Sequence, residues 1–171
     1  MINTPEDLFE FMSDFKYEWM DKEGNFHQDN IPEMYESYSL MSPEEVLKYK
    51  KGICVDQAEF ERDWFDKKGY EHKVMVIQLK RENEWPGHAF LIYKDNNKYC
   101  WFENAWHSQK GIHIYNSYEE LISDVKKRFI EQNDITEEEI KRIEIFEQPR
   151  YPYHLSYEEM DKYDINNSKV I

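Results

Sequence analysis

Lys51-Gly52-Ile53-Cys54-Val55-Asp56-Gln57-Ala58 runs straight into a helix-forming stretch that continues to Lys68 and stops at Gly69. The punctuation puts Cys54 at the first turn of that helix, with Gly52 ending the element before it. Helix N-termini leave backbone N–H groups unpaired and carry the positive end of the macrodipole, and both favour a thiolate, the nucleophilic form of cysteine. The rest of the chain can be tested for residues that would support such a thiol.

Upstream, Ser42-Pro43-Glu44-Glu45 has the form of a capping box with proline at the first helical position, and Val46, Leu47 and Tyr49 give the short helix an apolar side. Thr4, Pro5 and Asp7 form a similar start, after which Leu8, Met12, Phe15 and Trp19 keep helical spacing, so a helix is expected over 4–20. Asp21 to Asn25 reads as a plain turn, because it lacks the alternating ligands and distal glutamate of a calcium loop. Residues 26–41 show no period and read as an irregular connection.

Downstream the period changes. Lys73 to Lys80 is rich in β-branched and apolar residues and reads as a core strand. His88 to Tyr93 and Lys98 to Glu103 form two further strands across the turn Lys94-Asp95-Asn96-Asn97, so they pair antiparallel. Ile112 to Tyr115 is a short fourth strand. Ser117 caps a helix carrying Leu121, Ile122, Val125 and Phe129, a capped turn is expected at Thr136 to Glu139, and Ile140 to Phe146 reads as a late strand. Ser156 to Tyr163 is open between an acidic helix and an irregular tail. The alternation predicts an α+β domain.

The 171 residues suit one domain, 1–171, with a motif core at about 42–125, an N-terminal helix at 4–20 and a C-terminal strand and tail at 136–171. A net charge of −14 argues against nucleic acid and anionic membrane surfaces as partners. Only Cys54 and Cys100 are present, in dissimilar stretches, which points to reduced thiols and a cytoplasmic setting. No basic leader and no apolar run of about 18 residues is visible, so neither export signal nor membrane span is expected. Oligomeric state is not readable.

A nucleophilic Cys54 needs a base and a group that orients the base. His88, at the start of its strand, is the best base. Pairing across the Asp95-Asn96 turn brings Glu103 opposite His88 within about a residue, and alternation puts His88, Phe90 and Ile92 on one face with Tyr99, Trp101 and Glu103. Asn104 is the alternative third residue, on the other face with Cys100 and Phe102 unless a bulge intervenes. Cys54, Cys100, His88, His107 and His113 lack the spacing of a metal site, so no metal is expected.

Three segments resemble the transglutaminase-like (papain-fold) superfamily of cysteine enzymes: Gly52 to Ala58, Gly87-His88-Ala89-Phe90-Leu91-Ile92-Tyr93, and Trp101-Phe102-Glu103-Asn104-Ala105-Trp106. They occur in the family's order of Cys, His and acid. The resemblance implies a helix bearing the cysteine at its N-terminus, packed on an antiparallel β-sheet, with no cofactor. It implies attack of Cys54 on an amide or peptide carbonyl through a thioester, as in a peptidase, amidase, deamidase or transglutaminase, with a peptide or protein substrate. It also implies an oxyanion hole made by the cysteine N–H and an upstream donor, for which Trp19, Tyr17 and Gln57 are candidates. Trp85, Trp101 and Trp106 read on their own as core or cleft walls. This chain departs from the pattern at Glu103, where the family usually has aspartate. A non-catalytic peptide- or protein-binding module that keeps the papain-like fold is the alternative.

Overall fold

The computed structural model describes residues 1–167. Thr4 caps α1 (Pro5–Phe11), with Thr4 Oγ1 accepting from Asp7 N and Asp7 Oδ2 accepting from Thr4 N, and a turn of 3₁₀ helix follows at Met12–Asp14. The expected helix over 4–20 therefore stops early. The reason lies in the octet: Lys16 N donates to Lys50 O (2.9 Å) and Gly52 N donates to Lys16 O (3.0 Å), so residues 15–18 run extended beside residues 50–52. Phe15 and Trp19 are still buried, but from an extended segment.

A small hairpin follows, β1 (Trp19–Met20) with β2 (Phe26–His27), turned by Asp21 Oδ1, which accepts from Glu23 N and Asn25 N. The connection over 26–41 contains this strand and a short helix, α2 (Met34–Ser37). Ser42 and Glu45 cap α3 (Pro43–Tyr49) as expected. The residue that ends α3 is Lys50, in the left-handed conformation (φ 50°), and not Gly52. Gly52 is required for close approach instead: a Cβ there would lie 2.7 Å from Asp56 Cβ.

Helix α4 (Cys54–Lys68) ends at Gly69 in the left-handed region (φ 78°) and buries most of its first three turns. The strands come next: β3 (His72–Gln78), β4 (Gly87–Asp95), β5 (Lys98–Glu103) and β6 (Gly111–Tyr115). Asn96 and Asn97, both at positive φ, make the tight turn between β4 and β5, as asparagine in a two-residue hairpin does. Ser117 caps α5 (Tyr118–Gln132), Thr136 and Glu139 cap α6 (Glu137–Ile140), β7 (Glu144–Glu147) follows, and α7 (Tyr157–Asn167) closes the described chain. The late strand starts at Glu144, because Glu137–Ile140 is taken up by α6.

The strands form one five-stranded antiparallel sheet in the order β6-β5-β4-β3-β7. Its alternation divides the apolar residues. Val74, Ala89, Leu91, Tyr93, Cys100 and Phe102 pack with α1 and α4, and Met75, Ile77, Phe90, Ile92 and Trp101 pack with α5. Phe65 of α4 is fully buried against Tyr93 and Phe102, a side chain worth about 1.5–3 kcal/mol in apolar burial. The C-terminal segment docks on the same side as α4: His154 N donates to Leu40 O, Leu40 N donates to Leu155 O, and Tyr157 stacks on Tyr38 at 4.6 Å. Among the described residues no helix is long and apolar enough to cross a membrane.

Candidate active site

Asp56 builds the corner on which Cys54 stands. It is fully buried; Oδ2 accepts from Ile53 N (3.0 Å), the backbone group just before the helix, while Oδ1 accepts from Tyr38 OH (2.7 Å) and Met41 N (3.0 Å). Burial pushes its carboxyl up to about 7, against the downward pull of these three donors. One side chain thus ties the start of α4 to residues 38–41. The signal in the sequence was an acid three residues after Ile53, the second half of a capping box.

Cys54 is free and only 8% exposed. The sheet brings His88 to it. By parity His88 belongs to the α5 face, and it is the second residue of β4, at the end of the strand, paired with Ile77. The ring is buried, and both Glu103 oxygens bind its Nε2, Oε2 at 2.8 Å and Oε1 at 3.0 Å. With Nε2 engaged, the other ring nitrogen is left open, and Cys54 acts electrostatically on the ring. Burial by itself would lower the imidazole, but the Glu103 charge and hydrogen bonds and the nearby Cys54 outweigh it, and His88 is pushed up to about 10.

Glu103 is 2% exposed, and its remaining lone pairs are used: Oε1 accepts from Trp106 N (2.6 Å) and Oε2 from Trp101 Nε1 (3.0 Å). The register differs from the expected one. Leu91 pairs with Phe102, so Glu103 stands level with Phe90 and is two residues from being opposite His88. Glutamate has one more methylene than aspartate, and that length spans the diagonal. Asn104 is placed elsewhere: its Nδ2 donates to Gln57 Oε1 (2.7 Å) and Met12 O (3.1 Å), on the α4 side of the sheet.

The donors considered for an oxyanion hole separate in the same way. Gln57 Nε2 is spent on Gly52 O (2.8 Å), and Trp19 Nε1 on Asp29 O (3.0 Å), with its ring stacked on His27. Trp101 holds Glu103. Tyr17, delivered by the extended segment beside residues 50–52, is half-exposed and is the one of these side chains whose hydroxyl is set by Cys54. Electrostatic interaction with Cys54, then burial, holds the Tyr17 hydroxyl well above its ordinary range. Tyr17 also lines a cavity of about 250 Å³ with His88, Trp106, His107, Phe129 and Asn133, so the site opens to one side.

Two neighbours escaped the sequence reading. Glu61 lies seven residues after Cys54, on the same side of α4; burial, then the charge of Glu103, raises its carboxyl well above the usual range. The spacing from Cys54 was the available signal. Tyr157 of α7 is partly buried within electrostatic range of Cys54, Tyr17 and Asp56, and nothing local in residues 150–163 announces that long-range docking. Among the described residues no group of three His, Cys, Asp or Glu side chains is arranged to hold a metal ion.

Comparison with curated proteins returned no match. A family model described as a transglutaminase-like domain matches residues 3–136, a span that holds α4, the strands β3 to β6 and every residue of the Cys54, His88 and Glu103 cluster. With its cysteine-headed helix packed on an antiparallel sheet, the chain belongs to the transglutaminase-like family.

Proposed function

We propose that the protein is a cysteine acyl-transfer enzyme in which Cys54 is the nucleophile, His88 the proton carrier and Glu103 the residue that orients His88. The observation that carries this reading is the two-oxygen grip of Glu103 on His88 Nε2, which leaves the opposite ring nitrogen for Cys54. A structural histidine at a strand end needs no buried carboxylate of this kind.

In the proposed reaction Cys54, whose proton already sits on His88, attacks as the thiolate at the carbonyl carbon of an amide, forming the S–C bond while the C=O π pair moves to oxygen as a tetrahedral oxyanion. His88, held as imidazolium near neutral pH, gives its proton to the leaving nitrogen as the C–N bond breaks. A thioester remains. Water or an amine then attacks it, passing a proton to His88, and Sγ leaves. The Cys54 N–H and the Tyr17 hydroxyl are the donors assigned to the oxyanion. Hydrolysis makes the enzyme a peptidase, amidase or deamidase; transfer to an amine makes it a transglutaminase.

The test is to incubate the protein with an activated acyl donor, such as a p-nitrophenyl ester of a blocked amino acid, and to map the acyl adduct by mass spectrometry. The expected result is a single adduct on Cys54 that turns over in water or on an added amine. Labelling of Cys54 no faster than Cys100, unchanged in His88→Ala, would remove the proposal and favour a binding module instead.

A further inference from the structure

The chain carries a second cavity, away from the cleft. It encloses about 410 Å³ between Arg62 of α4, His72 and Lys73 at the start of β3, and Glu147, Gln148 and Arg150 after β7. This volume is in the range of small-molecule sites. It shares no lining residue with the cavity at His88. His72 is five residues along β3 from Ile77, the partner of His88, roughly 17 Å at strand spacing.

The charge of this wall runs against that of the molecule. In a chain of net charge −14, three permanently cationic side chains and an imidazole meet here, with Glu147 as the only carboxylate on the wall. Other carboxylates sit behind it. Arg62, buried to within 5% of its side chain, donates from Nη2 to Gln148 O (3.0 Å) and lies 3.5 Å from Glu59 Oε1. A guanidinium has five N–H donors, so most of those on Arg62 are not taken up by these contacts. Arg150 holds Asp66 with two nitrogens (2.7 and 2.9 Å), and Lys73 is only loosely paired, 3.9 Å from Glu147. His72 Nε2 is buried with no hydrogen-bond partner, its distance of 3.1 Å to Asp66 Oδ1 notwithstanding, while its Nδ1 is engaged with Tyr70 O. Burial and the nearby Arg150 charge also lower the Arg62 guanidinium, while Glu59 works the other way, so an added anion would relieve it.

We propose that this cavity binds a phosphoryl dianion, with Arg62, Lys73 and Arg150 as its donors and the His72 ring as part of the wall. The carboxylates already present, Glu59, Asp66 and Glu147, each carry one charge. A tetrahedral dianion can accept from several donors at once, and Arg is the side chain best shaped for it.

Isothermal titration with inorganic phosphate and, separately, with glycerol 3-phosphate in chloride buffer tests the site, with the histidine ring signals followed by NMR. Saturable binding is expected, with the His72 ring shifted and the His27 ring unmoved. Affinity should fall about tenfold or more in Lys73→Gln/Arg150→Gln, which alters exposed side chains, and stay unchanged in Lys126→Gln/Lys127→Gln, which removes the same charge from α5. Tighter binding of the ester would assign the site to a phosphorylated small molecule, and equal binding to phosphate itself. Absence of binding by both probes, or equal weakening by the two double variants, would overturn the proposal.

Discussion

The two cysteines are both free and both buried, at 8% exposure for Cys54 and 3% for Cys100, and their surroundings have little else in common. Cys100 lies mid-strand in β5, paired with Tyr93 of β4, and burial pushes its thiol up, against a smaller opposing effect of the Tyr93 hydrogen bond. Cys54 starts a helix, within electrostatic range of an imidazole whose pKa Glu103 raises and of the Tyr17 hydroxyl. Burial therefore does not tell the two thiols apart. The groups that can take a proton or stabilise a charge beside the sulfur do.

The contrast is broken most directly by substitution. Cys54→Ser is expected to lower acyl transfer by about 10⁴-fold or more, while Cys100→Ala leaves turnover nearly intact and costs stability of about 1–2 kcal/mol. Steady-state assay and urea unfolding check the pair. With iodoacetamide, Cys54 should alkylate first. His88→Ala should remove about 10²–10⁴-fold of the rate and erase the difference in alkylation between the two thiols.

Glu103→Gln sharpens the comparison, because it leaves the geometry and removes the charge. A loss of about 10³-fold is expected. Since Glu103 raises His88, the proposed mechanism predicts an alkaline limb of kcat/KM from loss of the His88 proton, which should move to lower pH in this variant. Stability should follow the same group. The folded pKa of His88 lies above its unfolded value of 6.5, so its contribution is complete below that pH and is lost as pH rises through about 10. Asp56 behaves alike in a lower window: raised from 3.8 to about 7, it contributes fully below pH 3.8 and loses that contribution as pH rises through 7. Urea midpoints against pH should flatten between 4 and 7 in Asp56→Asn and on the alkaline side in Glu103→Gln.

Tyr17→Phe should cost on the order of 10²-fold in kcat with little change in KM, the pattern of a donor used on the oxyanion. Gly52→Ala is the smallest of the set. The 2.7 Å approach to Asp56 Cβ should cost about 1–3 kcal/mol, read as a lower thermal midpoint, and slow the reaction only by displacing the corner under Cys54.

Much of this was legible locally. Ser42, Thr4, Ser117 and Thr136 announced their helices because a capping hydroxyl acts within one turn, and Gly69 and the two asparagines at 96 and 97 marked their turns through backbone conformation. Alternation placed Trp101 and Glu103 on the His88 face for the same reason: strand geometry is a property of the strand itself. The helix expected through Trp19 failed because helical spacing of Leu8, Met12, Phe15 and Trp19 cannot reveal that the backbone of Lys16 will pair with residues 50–52. The ending of α3 at Lys50 was hidden too, since a lysine in the left-handed conformation gives no compositional sign.

The sequence by itself determined the cysteine-headed helix, the antiparallel strands and the residue types of the site, because each depends on interactions a few residues apart. Tertiary structure decided the rest: which of Glu103 and Asn104 meets His88, which of Tyr17, Trp19 and Gln57 meets Cys54, and that residues 154–157 pack beside the octet. Those choices depend on strand register and on contacts between segments far apart in the chain, where a shift of two residues along β5 changes which side chain is within reach of a hydrogen bond.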